Sequence, residues 1–336
     1  MEMDKQIVDR INEPFVLETY SFWKQRGLYK KTLDFFQSLP DQSLEPIVFS
    51  YCTHVYKEKG LFVDLLGESI GATEQTTKAL AVSADVLWAL SLMVDDVYDS
   101  DMVRGGRESC LARYGEEKTI ESAQNGFISI VGYLVKNAGG KEVGNRCLEY
   151  VKMGIDSLIE HKQMTLETLP SEILRNYEKR CEFHGVFQVN SLFDSVGILD
   201  FRVRNMTIAG FRLFYRSGQL INDLKDIIQG DLYSRNYSDI RNGVSTIPIF
   251  DMYSNIGKKD KVRLKSMFGS KSLSLQDNAD IRRMVEESYT MERVLERIQD
   301  GYNKGLLCLS QIIRPDLMKW LNGWSNYKIS LISRYV

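Results

Sequence analysis

Residues 77–101 read TKALAVSADVLWALSLMVDDVYDSD, a nearly uncharged stretch that runs straight into four carboxylates, Asp95, Asp96, Asp99 and Asp101. Its apolar residues Leu80, Val82, Val86, Leu87, Leu90, Met93, Val94 and Val97 cover more than one face of a helix, the pattern of a central helix packed on several sides. An isolated charge in an apolar site is costly, and several together cost more, unless a cation compensates them. The stretch therefore predicts both a core helix and a cation-dependent site at its end. Positions i and i+4 share a helix face, so Asp95 and Asp99 project together while Asp96 lies about 100° around. Hard carboxylate oxygens suit Mg²⁺, which takes one or two carboxylates from a protein and the rest of its shell from water and phosphate oxygens. A diphosphate substrate would complete that shell. A solvated acidic helix end is the bland alternative for any DDxxD, and the apolar run before this one weighs against it.

A second helix of the same plan runs from Met206 through Phe211, Leu213, Leu220, Ile221 and Leu224 to Ile228. Late in it stands GQLINDLKDIIQGD, where Asn222 and Asp226 repeat the i, i+4 spacing with Asp223 beside them. These could be ordinary polar helix positions, yet two oxygen-ligand pairs at matching spacing make coincidence less attractive, and two such faces could hold metal between them. The six prolines, at 14, 40, 46, 170, 248 and 315, leave long stretches where helices run uninterrupted. No repeat, low-complexity tract or Pro/Gly/Ser linker divides the chain. The expected fold class is all-α, a single-domain helical bundle over residues 1–336 with ten or more helices.

Composition narrows the function classes. With 336 residues, 43% hydrophobic and 26% charged, the chain can bury a substantial core. A formal net charge of -2 gives no general attraction to nucleic acid or to an anionic membrane surface. Cys52, Cys110, Cys147, Cys181 and Cys308 are odd in number, far apart and without a CxxC, which points to neither a disulfide framework nor a zinc site. The start, MEMDKQIVDRINEPF, lacks an apolar signal core, and the run VLWALSLMV is too short to span a bilayer. A soluble, cytoplasmic protein without stable membrane insertion is expected. His54, His161 and His184 show no metal or triad pattern and read as structural.

At these residues the chain resembles class I terpene synthases and their relatives, the trans-prenyl diphosphate synthases. Asp95-Asp96-Val97-Tyr98-Asp99 matches the aspartate-rich motif shared by both. Asn222-Asp223 matches the opening of the terpene synthase NDxxSxxxE motif, with Asp226 in place of Ser, Gly230 in place of Glu and Asp231 one place beyond. NDLKD is equally close to the DDxxD of prenyl diphosphate synthases, and Gln219 stands where those have Gln. Val103-Arg104-Gly105-Gly106 and DIRNGVSTIP are further prenyltransferase echoes. The ending NGWSNYKISLISRY resembles that of bacterial terpene synthases, where a terminal pair, here Arg334 and Tyr335, reaches the diphosphate. YEKRCEFHG resembles the region supplying their diphosphate-sensing arginine, placed at Arg180 with Lys179 and Arg175 as competitors. The chain-elongating synthases carry a GKxxRP sequence that binds a second diphosphate; here HVYKEKGLFVDLLGES offers Lys57 and Lys59 but neither Arg nor Pro.

The resemblance implies the class I terpenoid synthase fold, three Mg²⁺ ions and a prenyl diphosphate partner, with a homodimer open to it. Asp95 and Asp99 of the Asp95/Asp96/Asp99 motif would hold two ions, and Asn222, Asp226 and Asp231 the third. Arg180, Arg334 and Tyr335 would bind diphosphate oxygens, since guanidinium offers paired donors to phosphate. An allylic cation calls for an aromatic-lined cavity, for which Trp88, Phe183 and Phe187 are candidates, each of them equally readable as ordinary core. Because the second-substrate site looks lost, a terpene synthase ranks first and a trans-prenyltransferase, elongating a chain or transferring to another acceptor, second.

Overall fold

The computed structural model describes residues 3–8, 11, 13–53, 56–104, 107–197, 200–228 and 237–333. Thr73 begins the longest helix of the first half of the chain, its hydroxyl accepting from the Thr76 amide at 3.3 Å. In chain order the first helices are α1 (Met3–Val8), α2 (Pro14–Gln25), α3 (Leu28–Gln37), α4 (Asp41–Thr53), α5 (Glu58–Ile70) and α6 (Glu74–Asp99). A two-stranded antiparallel hairpin follows, β1 (Val103–Arg104) with β2 (Arg107–Glu108), pairing Val103 with Glu108 and Arg104 with Arg107. It is the one departure from an all-α reading among the described residues, and it is two residues long on each side. Then come α7 (Cys110–Tyr114), α8 (Glu116–Asn137), α9 (Gly140–His161), α10 (Pro170–Cys181), a π-helical turn at Glu182–Val186, α11 (Phe187–Ser195) and α12 (Phe201–Ile228). The remainder is α13 (Ser238–Asn242), α14 (Ile247–Asn255), α15 (Lys258–Met267), α16 (Leu275–Glu287), α17 (Thr290–Leu309) and α18 (Pro315–Ser333).

The chain divides into two compact units, Met1–Lys152 with Glu182–Asn205, and Met153–Cys181 with Met206–Val336. In the first unit α6 is the central element, packed against α4, α5, α8 and α11. Its apolar residues Leu80, Val86, Leu87, Leu90 and Met93 are fully buried, as a helix that is hydrophobic all round must be. By length and composition α6 could cross a membrane, with a mean hydropathy of 1.5 over its most apolar window, but 89% of that window is buried inside the protein. Gly126 lets α8 approach closely: a Cβ there would lie 2.5 Å from Leu90 Cδ2.

The second unit has its own core. Tyr177 of α10, Leu220, Ile221, Leu224 and Ile227 of α12, Ile247, Ile249 and Met252 of α14, and Ile298 and Tyr302 of α17 are buried together. α12 starts at Phe201, ahead of the Met206 expected from the apolar pattern, because the polar first turns FRVRN continue the helix without needing an apolar face. A buried Asp251 on α14 accepts from Arg293 Nη2 at 2.6 Å and from Thr290 Oγ1 at 3.0 Å, which fixes α14 to the start of α17.

Candidate functional site

The first carboxylate cluster occupies the last turn of α6. Carboxylates at a helix C-terminus oppose the helix dipole, so cations are favoured there. The helix ends in a left-handed Ser100 (φ 55°), with the Ser100 amide donating to the Val97 carbonyl at 3.2 Å and the Asp101 amide to the Asp96 carbonyl at 2.8 Å. That is the two-bond Schellman arrangement, and it turns the chain back toward α6. The hairpin then brings Arg104 onto the aspartates. Its Nε donates to Asp96 Oδ1 at 2.5 Å and its Nη2 to Asp95 Oδ2 at 3.0 Å, with Asp101 3.9 Å away. Burial alone would favour loss of the Arg104 charge, but Asp96 and then Asp95 more than offset it and hold the guanidinium above its ordinary range. The Asp96 side chain is 4% exposed, that of Asp95 22% exposed, and Asp99 is half-buried. Asp96 and Arg104 also line a small hollow with Phe49, Ser50, Leu92 and Cys110.

Among the described residues, no three His, Cys, Asp or Glu side chains converge to hold a metal ion on their own. Mg²⁺ does not require that, since it takes one or two carboxylates and relies on water or phosphate for the rest. Partly exposed oxygens of Asp95 and Asp99 on one face, in a cluster whose buried member already draws a guanidinium, fit a metal that arrives with a diphosphate. Sequence spacing shows the aspartates; Arg104 stands in the Val103–Gly106 echo of the prenyltransferases, but its part as their counter-charge comes from the chain's return at the hairpin.

Two turns before Asp95, Trp88 is half-buried, with the Lys59 ammonium 3.8 Å above its ring and the His184 ring edge-on at 4.8 Å. Phe183 meets His184 in the same edge-on way at 4.8 Å, so Trp88, His184 and Phe183 form one aromatic group. Phe187 is fully buried and lies against Tyr150, at 5.9 Å between centroids. Lys59 Nζ also pairs with Glu58 at 2.8 Å. Lys57, left-handed at the start of α5, is completely buried, donating to the Tyr51 carbonyl at 2.6 Å with its ammonium 3.3 Å from the Tyr51 ring centroid. Burial brings its pKa down to about 8. Nearby Asp85, equally buried, is pushed up to about 6 by burial while accepting from Trp23 Nε1 at 3.1 Å and the Gly60 amide at 2.8 Å. Both lysines of the HVYKEKG segment thus have interior partners.

In the second unit, α12 presents its three motif residues differently. Asn222 is exposed, Asp226 half-buried and Asp223 buried. Asp223 accepts from the Tyr177 hydroxyl in a short hydrogen bond and from Gln219 Nε2 at 2.8 Å, and burial pushes it up to about 6. The charge of Arg180 acts on Asp223 in the opposite direction. Arg180 is half-buried, whereas Arg175 is exposed and Lys179 is paired with Glu160 at 2.7 Å. Asp226 accepts from the Ser238 amide at 2.9 Å, the Ser238 hydroxyl at 2.7 Å and the Asp239 amide at 3.0 Å. Gln219 at i−4 from Asp223 was visible in the sequence, but Tyr177 and Ser238 were not identifiable as partners. Asp231, Arg334 and Tyr335 lie outside the described residues, as do Gly105, Gly106, Gly230 and His54.

Residues 50–184, which hold Lys57, Lys59, Trp88, the DDVYD motif and Arg180, match the family model described as polyprenyl synthetase. The chain is similar in structure to polyprenyl synthase from Caulobacter crescentus, crystallised with calcium and isoprenyl diphosphate (TM-score 0.80, 15% identity, 94% of this chain and 97% of that one). It is similar also to a decaprenyl diphosphate synthase from Rhodobacter capsulatus (0.80, 12%, 94% and 99%) and to geranylgeranyl pyrophosphate synthase from Lactobacillus brevis (0.77, 15%, 93% and 99%). No curated protein sequence matches the chain. The fold is therefore the all-helical isoprenoid synthase fold. The matched family model stands on the prenyl diphosphate synthase side of the resemblance, and weighs against the terpene synthase reading that ranks first where the second-substrate site looks lost.

Proposed function

We propose that the chain is an enzyme of the polyprenyl synthetase kind, a trans-prenyltransferase that ionises an allylic prenyl diphosphate and passes the prenyl group to an acceptor, with residues 1–336 acting as one catalytic domain. The observation that carries this is the carboxylate end of α6, with Asp95 and Asp99 partly exposed and Asp96 neutralised by Arg104, inside the segment that matches the polyprenyl synthetase model. Asp95 and Asp99 would hold Mg²⁺, which supplies electrostatic stabilisation of the charge that develops on the departing diphosphate. Arg104 offsets the charge of Asp96, holds Asp95 as well and fixes the last turn of α6, so that Asp95 and Asp99 keep their orientation. Arg180 would donate charge-assisted hydrogen bonds to diphosphate oxygens. Trp88, whose ring carries the Lys59 ammonium at 3.8 Å, and Phe183 would help to exclude water. Among the described residues no cysteine forms a disulfide.

A second reading is favoured by one observation. Lys57 and Lys59, where a second diphosphate would be sought, are buried on interior partners. An enzyme that ionises one prenyl diphosphate and cyclises it needs no such site. Incubation with Mg²⁺ and geranyl, farnesyl or geranylgeranyl diphosphate, with and without isopentenyl diphosphate, separates the two by mass analysis. The first reading gives a longer prenyl diphosphate or a prenylated acceptor; a hydrocarbon or alcohol formed at the same rate without isopentenyl diphosphate would replace it with the second.

A further inference from the structure

α13 is a five-residue helix preceded by Tyr237 in a left-handed conformation (φ 58°), which gives no side-chain cap. Helix N-termini require acceptors for their leading N–H groups, and a carboxylate is the best of them. Here the acceptor comes from eleven to thirteen residues upstream. The Tyr237 amide donates to the Asp226 carbonyl at 3.2 Å, the Ser238 amide and hydroxyl to Asp226 Oδ1 at 2.9 and 2.7 Å, and the Asp239 amide to Asp226 Oδ2 at 3.0 Å. Three consecutive amides thus close on one residue. The other end of the same segment is held by the other aspartate of the motif. The Ile247 amide, at the start of α14, donates to the Tyr177 hydroxyl at 3.3 Å, and that hydroxyl donates to Asp223.

We propose that Asp223 and Asp226 clamp the two ends of residues 237–247 and serve as positioning residues for that segment rather than as metal ligands. Both Asp226 oxygens already receive hydrogen bonds, and Asp223 is buried with two donors of its own. Between the two grips lie Ser245 and Thr246, fully buried, with hydroxyls that find no partner among the described residues. Such groups are costly unless something supplies their hydrogen bonds, a cost that the two grips would offset. The clamp stands on geometry alone; that Asp226 yields no metal ligand rests on the prenyl diphosphate reading.

The test uses the full chain. Hydrogen exchange is followed at residues 237–247, and Mn²⁺ is titrated calorimetrically in the presence of inorganic pyrophosphate, for wild type, Asp226→Asn, Asp226→Ala, Tyr177→Phe and Asp99→Asn. Loss of a cap should speed exchange at 237–239 in Asp226→Ala by about tenfold, and Tyr177→Phe should do the same at Ile247. Asp226→Asn, which keeps one acceptor oxygen for Ser238, should fall between and leave Mn²⁺ affinity within about threefold of wild type, while Asp99→Asn weakens it about tenfold or more. The proposal is overturned if Asp226→Asn weakens Mn²⁺ binding as much as Asp99→Asn does, or if exchange at 237–239 is unchanged in Asp226→Ala. Should Asp226→Ala fail to fold, Ser238→Ala carries the exchange measurement. If Asp99→Asn leaves Mn²⁺ binding untouched, the metal reading of the first cluster fails, and exchange still decides the clamp.

Discussion

One guanidinium, that of Arg104, makes the end of α6 tolerable to the fold. Asp96 is almost fully buried, and a buried carboxylate stays ionised at low cost only beside a cation. Arg104→Leu strands that charge and is expected to destabilise the protein by about 2 kcal/mol, less than a fully buried pair would because the arginine is partly exposed. A urea unfolding curve with an unchanged midpoint would show that the pair carries no such weight. Asp95→Asn and Asp99→Asn remove charge from partly exposed positions. Each should lose most turnover with circular dichroism and melting temperature unaltered, and near-wild-type rates in either would remove the metal assignment.

Asp85 offers a pH signature. Its folded pKa of about 6 lies above the ordinary carboxylate value near 4, so the native state binds the extra proton and the contribution is fully present below pH 4. It is lost as pH rises through 6. Wild-type stability should therefore carry a negative contribution between pH 4 and 6 that Asp85→Asn lacks, on the order of 2–3 kcal/mol across the window. Parallel pH profiles of the two proteins in guanidinium titrations would contradict the burial of an ionisable Asp85.

At the level of elements, α6 and α12 were plain in the sequence, because α6 is apolar on every face, α12 repeats apolar residues along one face, and nothing breaks either for more than twenty residues. The Asp95/Asp99 spacing was equally legible, since i, i+4 geometry is local. What could not be read were pairings set by chain return. Asp226 looked like a metal ligand because it shares a face with Asn222, yet its hydrogen bonds come from Ser238 and Asp239, beyond the end of α12. Tyr177, forty-six residues before Asp223, gave no hint of its part. Lys57 and Lys59 were seen as leftovers of a basic site, whereas burial on Tyr51 and against Trp88 is decided by tertiary packing. The α6–α8 contact supplies a prediction at this scale. Gly126→Val would drive a branched side chain into Leu90, and overpacking of this sort costs about 1–3 kcal/mol. A denaturation midpoint at the wild-type value would mean that α8 can move away without penalty.

For the whole molecule, two independent likenesses meet. The family match ends at residue 184, while the structural similarity extends over more than nine-tenths of the chain at identities of 12–15%. Low identity with a retained fold is what helical packing allows: core positions accept any apolar residue of suitable volume. On the proposed reading, chain-length preference would belong to this scale too, set by many ordinary apolar residues rather than by a motif.

The central claim is that the α6 carboxylates promote departure of diphosphate from a prenyl substrate with the help of a divalent metal. The measurement closest to it is the rate of inorganic diphosphate release from farnesyl diphosphate, taken with Mg²⁺, with excess chelator, and with Mg²⁺ in the Asp95→Asn protein, isopentenyl diphosphate being present throughout. The account predicts release in the first case and a loss of at least about a hundredfold in the other two, the size expected when a main electrostatic contribution to the transition state is removed. Equal release with chelator, or from Asp95→Asn, would contradict it.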